Sequence, residues 1–383
     1  MRIIVDARKA ADYGIGTYIR RLGEACARLS PADEFVFLGK VGQADRNPGP
    51  EDVSRISGEL TPPPGSNVTW KANTSANYGL RELVSVSWQV RELGGDVFHA
   101  PHYVFPLMLP CPSVVTIHDC IHLRFPTQLP NPAARVYARI MIRRAVTKAD
   151  RVLTVSEATR ADLVELVGAD PSRIDVIPDG CDPYFLEPVD NLELQEVAEK
   201  HGLERPFLLN VNNIKPHKNL KRLLGAFGQL RGDYDDLELV IAGGTLDQHP
   251  ELVAACSSYG IADRVRSVGF LPKQELRALY HLARIFVFPS LYEGFGLPPL
   301  EAMACGTAVV ASRSSGIPEV VGRSGLLFNP YRIDSIAEAI RTLLENSSFR
   351  NALGAQGRLR ALEFDWDDSA RRVLEVYHDV AAS

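Results

Sequence analysis

Two acidic residues flank a short glycine- and proline-rich segment in the second half of the chain. The segment reads Glu293-Gly-Phe-Gly-Leu-Pro-Pro-Leu-Glu301 and follows Ile285–Pro289, an apolar run typical of a buried strand. Proline is tolerated only in the first turn of a helix, so the two prolines predict a helix that begins close to them. The glycines allow close backbone approach, and a helix N-terminus offers N–H groups to an anion. The pattern predicts an anion site flanked by two carboxylates.

Paired carboxylates beside a phosphate site are explained by sugar hydroxyls, because ionised oxygens accept hydrogen bonds from a polyol. From spacing alone an alternative stays open. Glu301 would then only complement the helix dipole, and Glu293 would be a solvated surface residue.

A second candidate site follows the apolar run Phe207–Val211, in the segment Asn210-Val-Asn-Asn-Ile-Lys-Pro-His-Lys-Asn219. A lysine ammonium about 4 Å from a phosphate contributes roughly 4 kcal/mol at an effective dielectric constant near 20. Lys218 is the candidate for this role. The alternative is that Lys215 and Lys218 both lie on a solvated loop.

Two further candidates lie in the first half of the chain. His118 follows the apolar run Val114–Ile117, and the end of a parallel strand favours a functional position, although a lone histidine is more often structural. Gly14 and Gly16 lie in Tyr13-Gly-Ile-Gly16-Thr17, which lacks the third glycine of a dinucleotide fingerprint.

Apolar runs alternate with helical patterns in both halves, which is typical of parallel sheets covered on both faces. The sequence therefore predicts the α/β class, with two doubly wound parallel sheets that face a cleft. The runs are Ile3–Val5, Phe35–Leu38, Val97–Ala100, Val114–Ile117, Val152–Val155 and Ile174–Ile177, then Phe207–Val211, Leu237–Ala242, Val265–Val268, Ile285–Pro289, Ala308–Ser312 and Leu326–Phe328.

A length of 383 residues predicts two domains, since one core usually serves about 100–200 residues. We place the first at 1–190 and the second at 191–367, with a hinge near 185–205 because 178–183 followed by 187–201 is a turn-rich and polar stretch. Residues 368–383 are expected to form a helix that returns to the first domain. Its apolar side carries Val373, Leu374, Val376 and Tyr377.

Composition excludes several classes of protein. A net charge of −5 argues against a chain-wide nucleic-acid surface. The six cysteines are scattered without zinc-site spacing, so no metal site is expected and a reducing compartment is indicated. The N-terminus does not resemble a signal peptide, and no apolar stretch approaches the ~18 residues of a transmembrane helix. We expect a cytoplasmic protein.

The whole stretch from Phe288 to Ser312 resembles the donor motif of family 4 retaining glycosyltransferases, which have the GT-B fold of two Rossmann-like domains. The resemblance implies that Glu293 faces the transferred sugar and that Glu301 binds the ribose hydroxyls. It also implies that the backbone around Gly294, Phe295, Gly296 and Leu297 holds the sugar and the diphosphate.

Other positions are similar to further motifs of this family. Lys218 matches a phosphate-binding lysine, which implies that it helps the diphosphate to leave without a metal ion. Asn212 stands where many members carry an arginine, so Lys215 is considered as its substitute. Phe270 and Leu271 would lie beside the nucleotide base. His118 would lie near the reaction centre, and Gly14 and Gly16 near the donor phosphates and the acceptor.

The resemblance implies transfer of a hexose from a nucleoside diphosphate sugar, with retention and without a metal ion or other cofactor. Similarity to bacterial mannosyltransferases of surface polysaccharides implies GDP-mannose as donor and a glycan or lipid-linked acceptor, with UDP- and dTDP-sugars as alternatives. A nucleotide-sugar 2-epimerase of the same fold and a non-catalytic nucleotide-sugar-binding subunit also remain open.

Residues 135–151 are locally basic with helical spacing. Such a run is usually a solvated face, but basic amphipathic helices also bind anionic membranes. The alternative expectation is peripheral contact with the cytoplasmic face of the membrane.

Overall fold

The computed structural model describes residues 1–39, 66–73, 82–129 and 131–383. The chain divides into two compact units. The first consists of Met1–Gly180 together with Asp365–Ser383, and the second of Cys181–Phe364.

The first unit contains a parallel sheet in the order β3-β2-β1-β4-β5-β6-β7. Its strands are β1 (Arg2–Asp6), β2 (Glu34–Gly39), β3 (Val68–Ala72), β4 (Val97–Ala100), β5 (Ser113–Ile117), β6 (Arg151–Thr154) and β7 (Ile174–Val176). The described α-helices of this unit are Ile15–Leu29, Glu82–Leu93, Ile121–Arg124, Pro132–Lys148, Glu157–Val167 and Trp366–Ala382, with 3-10 turns at Pro126–Gln128 and Pro171–Arg173.

The second unit contains a parallel sheet in the order β10-β9-β8-β11-β12-β13. Its strands are β8 (Phe207–Val211), β9 (Glu238–Ala242), β10 (Val265–Gly269), β11 (Ile285–Phe288), β12 (Val309–Ser312) and β13 (Leu326–Phe328). The α-helices are Asn191–His201, Leu220–Gln229, Pro250–Ser258, Lys273–Leu282, Leu297–Ala304, Ile317–Val321, Ile333–Glu345 and Ser347–Ala361, with 3-10 turns at Pro183–Leu186, Pro216–Lys218 and Leu246–Gln248.

Strand order reverses once in each sheet, between β1 and β4 and between β8 and β11. At such a switch point the connections leave the two neighbouring strands in opposite directions, which opens a crevice beyond their carboxyl ends. The loops after β8 and β11 therefore lie at the expected ligand site of the second unit. The predicted α/β class with two parallel sheets is confirmed.

Two elements were missed by the sequence analysis. Strand β3 alternates apolar with polar residues and lies at the sheet edge, so it lacks the continuous apolar run of a central strand. The helix Asn191–His201 lies inside the stretch, 178–183 followed by 187–201, that the sequence analysis described as turn-rich and polar. The Asp190 carboxylate caps its start by accepting from the Leu192 N–H at 3.2 Å, and Gly202 ends it with φ 62°.

The division of the chain differs from the predicted boundary at residue 190. The first unit ends at Gly180, and the stretch that follows packs into the second. The Cys181 N–H donates to the Phe364 carbonyl at 2.8 Å, and the Phe185 ring meets the Tyr280 ring edge to face at 5.8 Å. These contacts tie 181–186 to the second unit.

The last helix, Trp366–Ala382, belongs to the first unit and packs against Ile15–Leu29. All four residues of its predicted apolar side are buried. The Asp365 carboxylate caps its start by accepting from the Asp367 N–H at 2.9 Å. This helix therefore completes the core of the first unit.

No helix in the described ranges is both long and apolar enough to cross a membrane. The six cysteines are free thiols, and all except Cys111 are buried.

The contact between Gly180 and Trp366 generates a stability prediction. A Cβ atom on Gly180 would lie 2.5 Å from Trp366 Cγ and would also overlap the Trp366 backbone nitrogen. Gly180→Ala should therefore lower the free energy of unfolding by about 1–3 kcal/mol, measured by urea denaturation. Gly168→Ala is the control, because Gly168 has φ 68° but open space around it. A smaller loss for Gly180→Ala than for the control would contradict the packing argument.

Candidate active site

The loops after β8 and β11 are joined at the switch point of the second sheet. The Leu291 N–H donates to the His217 carbonyl at 2.7 Å. Asn219, in the left-handed region at φ 61°, donates through Nδ2 to the carbonyls of Pro289 at 2.9 Å and Pro330 at 2.8 Å. These bonds fix the positions from which Lys218 and Glu293 project.

Lys218 and Glu293 form an ion pair, with Nζ donating to Oε1 at 2.6 Å. Their side chains are 14% and 17% exposed, so the pair is largely shielded from water. Shielding strengthens the attraction between opposite charges and makes loss of one partner costly. The sequence analysis assigned these two residues separate roles, and the structure brings them into direct contact.

The segment between the two glutamates is a loop followed by a helix start, as predicted. Leu297–Ala304 begins with prolines in its first turn, and Gly296 precedes it at φ 136°, a conformation that favours glycine. Glu293 lies on the loop. Its N–H donates to Ser315 Oγ at 2.8 Å, and its carbonyl accepts from the Gly316 N–H at 3.1 Å.

Glu301 lies on the helix and accepts a hydrogen bond at Oε2 from the Tyr280 hydroxyl at 2.9 Å. Burial raises the pKa of this carboxyl to about 7, although the Tyr280 bond opposes the change. The nearby Asp182 carboxylate also raises this pKa, and the Lys273 ammonium lowers it. Glu301 is therefore divided between its neutral and ionised forms near neutral pH.

Lys273 and Asp182 form an ion pair beside Glu301. The Lys273 ammonium also lies 4.7 Å from the centre of the Tyr184 ring, within cation–π range. Sequence reasoning missed this pair and Tyr280. The only signal was the amphipathic pattern of Lys273–Leu282, which marks Tyr280 as a core residue rather than as a partner for Glu301.

Asn212 is 6% exposed, and its Nδ2 is buried without a hydrogen-bond partner. A buried donor without a partner costs about 1–3 kcal/mol, so this amide is suited to a ligand that supplies an acceptor. The backbone here is tightly packed, because a Cβ on Gly243 would lie 2.6 Å from the Asn212 carbonyl oxygen. Lys215 is exposed.

The remaining predicted donor residues divide between surface and core. The Phe270 side chain is 58% exposed, which leaves its ring accessible to a flat ligand. The end of β10, directly before Phe270, is joined to the loop after β9 by the Gly243 N–H, which donates to the Gly269 carbonyl at 2.7 Å. The Phe295 ring packs against the Phe364 ring at 5.6 Å, so only its backbone remains as a ligand contact.

Gly14, Gly16 and His118 belong to the first unit. Gly14 has φ 67° and precedes the helix Ile15–Leu29. A Cβ on Gly16 would lie 2.5 Å from the Ala10 carbonyl oxygen, so close backbone packing requires glycine there. His118 follows β5 directly.

His118 is a neutral imidazole with a defined tautomer. Its Nε2 lies 3.1 Å from the Pro101 carbonyl oxygen, which can only accept, so Nε2 carries the hydrogen and Nδ1 is unprotonated. Burial lowers the pKa of His118 to about 4, with the Pro101 bond opposing the change and the Lys9 charge adding to it. A neutral ring with a lone pair can stabilise positive charge.

Within the described parts of the chain, no group of three or more His, Cys, Asp or Glu residues is arranged to hold a metal ion. The two clusters of chemistry-bearing residues are instead built from lysine, carboxylate, amide and neutral imidazole groups.

Residues 13–185 match Glycosyltransferase Family 4, and residues 193–360 match Glycosyl transferases group 1. The chain is 30% identical over 293 residues to the O-antigen chain mannosyltransferase B of Escherichia coli. The aligned part covers 76% of this chain and 76% of that protein. It is 30% identical over 232 residues to the serotype-specific mannosyltransferase WbdA of Escherichia coli, covering 60% of this chain and 28% of that protein.

Among solved structures, HepE of Anabaena in complex with UDP and glucose is similar with a TM-score of 0.78 and 19% identity, over 99% of this chain and 100% of that one. With two parallel α/β units and these relatives, the chain belongs to the family 4 glycosyltransferases and is a transferase with the GT-B fold.

Proposed function

We propose that this chain transfers mannose from GDP-mannose, with retention of configuration, to a hydroxyl group of a glycan or lipid-linked acceptor. The observation that carries the proposal is the shielded Lys218–Glu293 pair at the switch point of the second sheet. A lysine suits contact with phosphate and a carboxylate suits contact with sugar hydroxyls, and here the two are neighbours. The choice of mannose is supported by the two relatives named as mannosyltransferases.

The donor binds in the second unit under this proposal. Its diphosphate meets Lys218, the Asn212 amide and the N-terminus of Leu297–Ala304, where Gly294, Gly296 and Leu297 supply close backbone contacts. Its sugar meets Glu293, its ribose meets Glu301, and its base lies at Phe270 and Leu271. Lys215 adds positive charge at the phosphates in place of the missing arginine.

The acceptor binds in the first unit, near Gly14, Gly16 and His118. The bond from the anomeric carbon to the diphosphate breaks while the acceptor oxygen attacks from the same face. The leaving phosphate takes the acceptor proton. Lys218 stabilises the negative charge that develops on this phosphate, and the neutral His118 ring stabilises the cationic sugar. No metal ion enters these steps, so transfer should proceed unchanged in EDTA.

A panel of nucleotide sugars tests the donor. Thermal stabilisation of the chain by GDP-mannose, followed by mass-spectrometric detection of a mannosylated acceptor, would support the proposal. Stabilisation by UDP-sugars alone would contradict the assignment of GDP-mannose. Conversion of the donor without an acceptor would indicate a 2-epimerase, and binding without any product would indicate a non-catalytic subunit.

The Lys218–Glu293 pair generates a kinetic prediction. Lys218→Ala should lower kcat by about 10²–10³-fold, because the leaving phosphate loses its cation. Glu293→Gln should lower kcat/KM for the donor, because it removes both the partner of Lys218 and an acceptor for sugar hydroxyls. Steady-state rates with GDP-mannose measure both effects.

Lys221→Ala is the matched control for Lys218→Ala, since Lys221 is exposed on the helix Leu220–Gln229. It should leave the rate unchanged. Wild-type turnover in Lys218→Ala would remove this lysine from the mechanism.

Glu301 generates a pH prediction. Because its pKa is raised from 4.5 to about 7, the stability it contributes is present at low pH and is lost as the pH rises through this window. Ribose hydroxyls that donate to the carboxylate favour the ionised form. Binding of GDP at neutral pH should therefore release a fraction of a proton, measured by calorimetry in buffers of different ionisation enthalpy.

Glu301→Gln should abolish this release, whereas Glu199→Gln, at an exposed helical position, should not. Equal release by wild type and Glu301→Gln would show that Glu301 does not contact the nucleotide.

Only part of the basic stretch at 135–151 lies on a helix. The helix ends at Lys148, and Arg151 lies in β6, paired with Asp175 at 2.9 Å. The exposed side of the helix combines Arg139 and Arg143 with Val136 and Ile140, and each of the two apolar side chains is 58% exposed.

A neighbouring loop extends this exposed face. Arg144 donates to the Pro106 carbonyl at 3.1 Å and also bonds the Leu107 carbonyl, so the loop is held against the helix. Leu107 is 49% exposed and Met108 is 79% exposed. We define Leu107, Met108, Val136, Arg139, Ile140 and Arg143 as the apolar–basic surface. Peripheral contact of this surface with an anionic membrane at the cytoplasmic face is part of the proposal.

The apolar–basic surface generates a binding prediction. Combining Met108→Ser with Ile140→Ser should reduce sedimentation with vesicles of phosphatidylcholine and phosphatidylglycerol, because it removes apolar area that would enter the lipid. Leu359→Ser is the control, since Leu359 is 67% exposed on a helix of the second unit. Equal sedimentation of wild type and double variant would contradict membrane contact through this surface.

A further inference from the structure

A chain of buried hydrogen bonds crosses the first unit from its last helix to β5. Tyr377 Oη lies 2.6 Å from His99 Nδ1, and His99 Nε2 lies 2.8 Å from Thr116 Oγ1. Thr116 Oγ1 lies 2.9 Å from Tyr18 Oη. All four residues are at most 4% exposed. None of them is part of the proposed donor or acceptor site.

The four side chains carry enough hydrogens for the three hydrogen bonds between them. Burial lowers the pKa of His99 to about 3, so its ring is neutral and carries one hydrogen. With the three hydroxyl hydrogens, four protons are available for three bonds. A hydrogen bond in a buried chain is strengthened by its neighbours, and the same burial penalises any member left without a partner. The four side chains therefore hold one another in place.

Tyr18 links this chain to His118. Its ring meets the His118 ring edge to face, with centroids 4.7 Å apart and an interplanar angle of 85°. Thr116 and His118 are two positions apart along an extended segment, so their side chains point to the same face of the sheet. The Tyr18 hydroxyl is bonded at Thr116 while its ring contacts His118. Tyr18 therefore spans the interval between these two side chains.

His118 needs such a contact because a single hydrogen bond leaves its ring orientation incompletely fixed. The Pro101 carbonyl fixes Nε2 at 3.1 Å but permits tilting about that bond. We propose that Tyr18 is a positioning residue for His118, and that the Tyr377 hydroxyl holds Tyr18 in place through His99 and Thr116. The positioning of His118 by Tyr18 does not depend on the proposed function. Only the expected effect on kcat rests on the proposed role of His118 in transfer.

The last helix thereby contributes to the geometry at the end of β5. Trp366, at the start of this helix, also meets the Tyr18 ring edge to face at 6.1 Å. The helix thus contacts Tyr18 in two ways: directly through the Trp366 ring, and indirectly through the hydrogen bonds that begin at Tyr377. Removal of the Tyr377 hydroxyl should therefore change the orientation of the His118 ring, although the two residues are not bonded to each other.

Nuclear magnetic resonance of the full chain labelled with ¹⁵N-histidine tests the positioning directly. The chain has nine histidines, and the two nitrogen signals of His118 are identified as those lost in His118→Gln. Wild-type His118 should show one protonated and one unprotonated nitrogen, as a single tautomer. Tyr18→Leu should broaden both nitrogen signals, because the His118 ring then tilts and its bond to the Pro101 carbonyl weakens, and Tyr377→Phe should broaden them to a smaller extent.

Kinetics provide the second readout. Tyr18→Phe keeps the ring but removes the hydroxyl, and should lower kcat about tenfold while KM for GDP-mannose is unchanged. A general loss of stability would instead lower the active fraction and the melting temperature together. Tyr234→Phe is the matched control, because the Tyr234 hydroxyl donates to Glu345 at 3.4 Å in the second unit. It should change neither kcat nor the His118 signals.

Wild-type His118 signals in both Tyr18→Leu and Tyr377→Phe would overturn the inference, whatever the kinetics show. Altered signals with altered kcat would support it in full. If the wild-type chain transfers no sugar, the proposed function fails, but the nitrogen signals still decide whether Tyr18 positions His118.

Discussion

The reversal of strand order within each parallel sheet is the constraint on which the site geometry depends. At a reversal, two adjacent strands send their chains to opposite faces, so their carboxyl ends are left uncovered. In the second unit this happens between β8 and β11, and the loops that follow carry Lys218 and Glu293. Residues 75 positions apart in sequence thereby meet at 2.6 Å. Backbone hydrogen bonds between the same loops, such as that from the Leu291 N–H to the His217 carbonyl, hold the two charged side chains close to each other.

The candidate residues differ in whether they carry a charge. Lys218 and Glu293 balance each other as ions, whereas burial keeps His118 neutral and brings the pKa of Glu301 close to neutral pH. Desolvation penalises an isolated charge, so each buried group here is either paired or able to lose its charge. In the second unit, the ion pairs Lys218–Glu293 and Lys273–Asp182 lie with the Glu301 carboxyl, whereas in the first unit His118 is a neutral ring.

The first unit owes part of its order to a segment distant in sequence. Trp366–Ala382 buries its apolar side in the core formed by β1 and Ile15–Leu29, and Tyr377 adds a polar contact to His99. Apolar burial supplies most of the stability of such a helix, while the hydrogen bonds restrict which orientation it adopts. The hydrogen bonds from Tyr377 through His99 and Thr116 to Tyr18 add polar contacts to this apolar core.

The sequence by itself determined the two parallel α/β sheets, the loop and helix start between Glu293 and Glu301, and the apolar side of the last helix, because local periodicity, proline and glycine encode these features. It failed for β3 and for Asn191–His201, where an edge position and end capping outweigh apolar patterning. Only the tertiary structure decided that Lys218 pairs with Glu293, that Tyr280 bonds Glu301 and that Tyr18 spans from Thr116 to His118. Such pairings depend on which strand ends become neighbours, and that order is set by packing across the whole sheet rather than by local sequence.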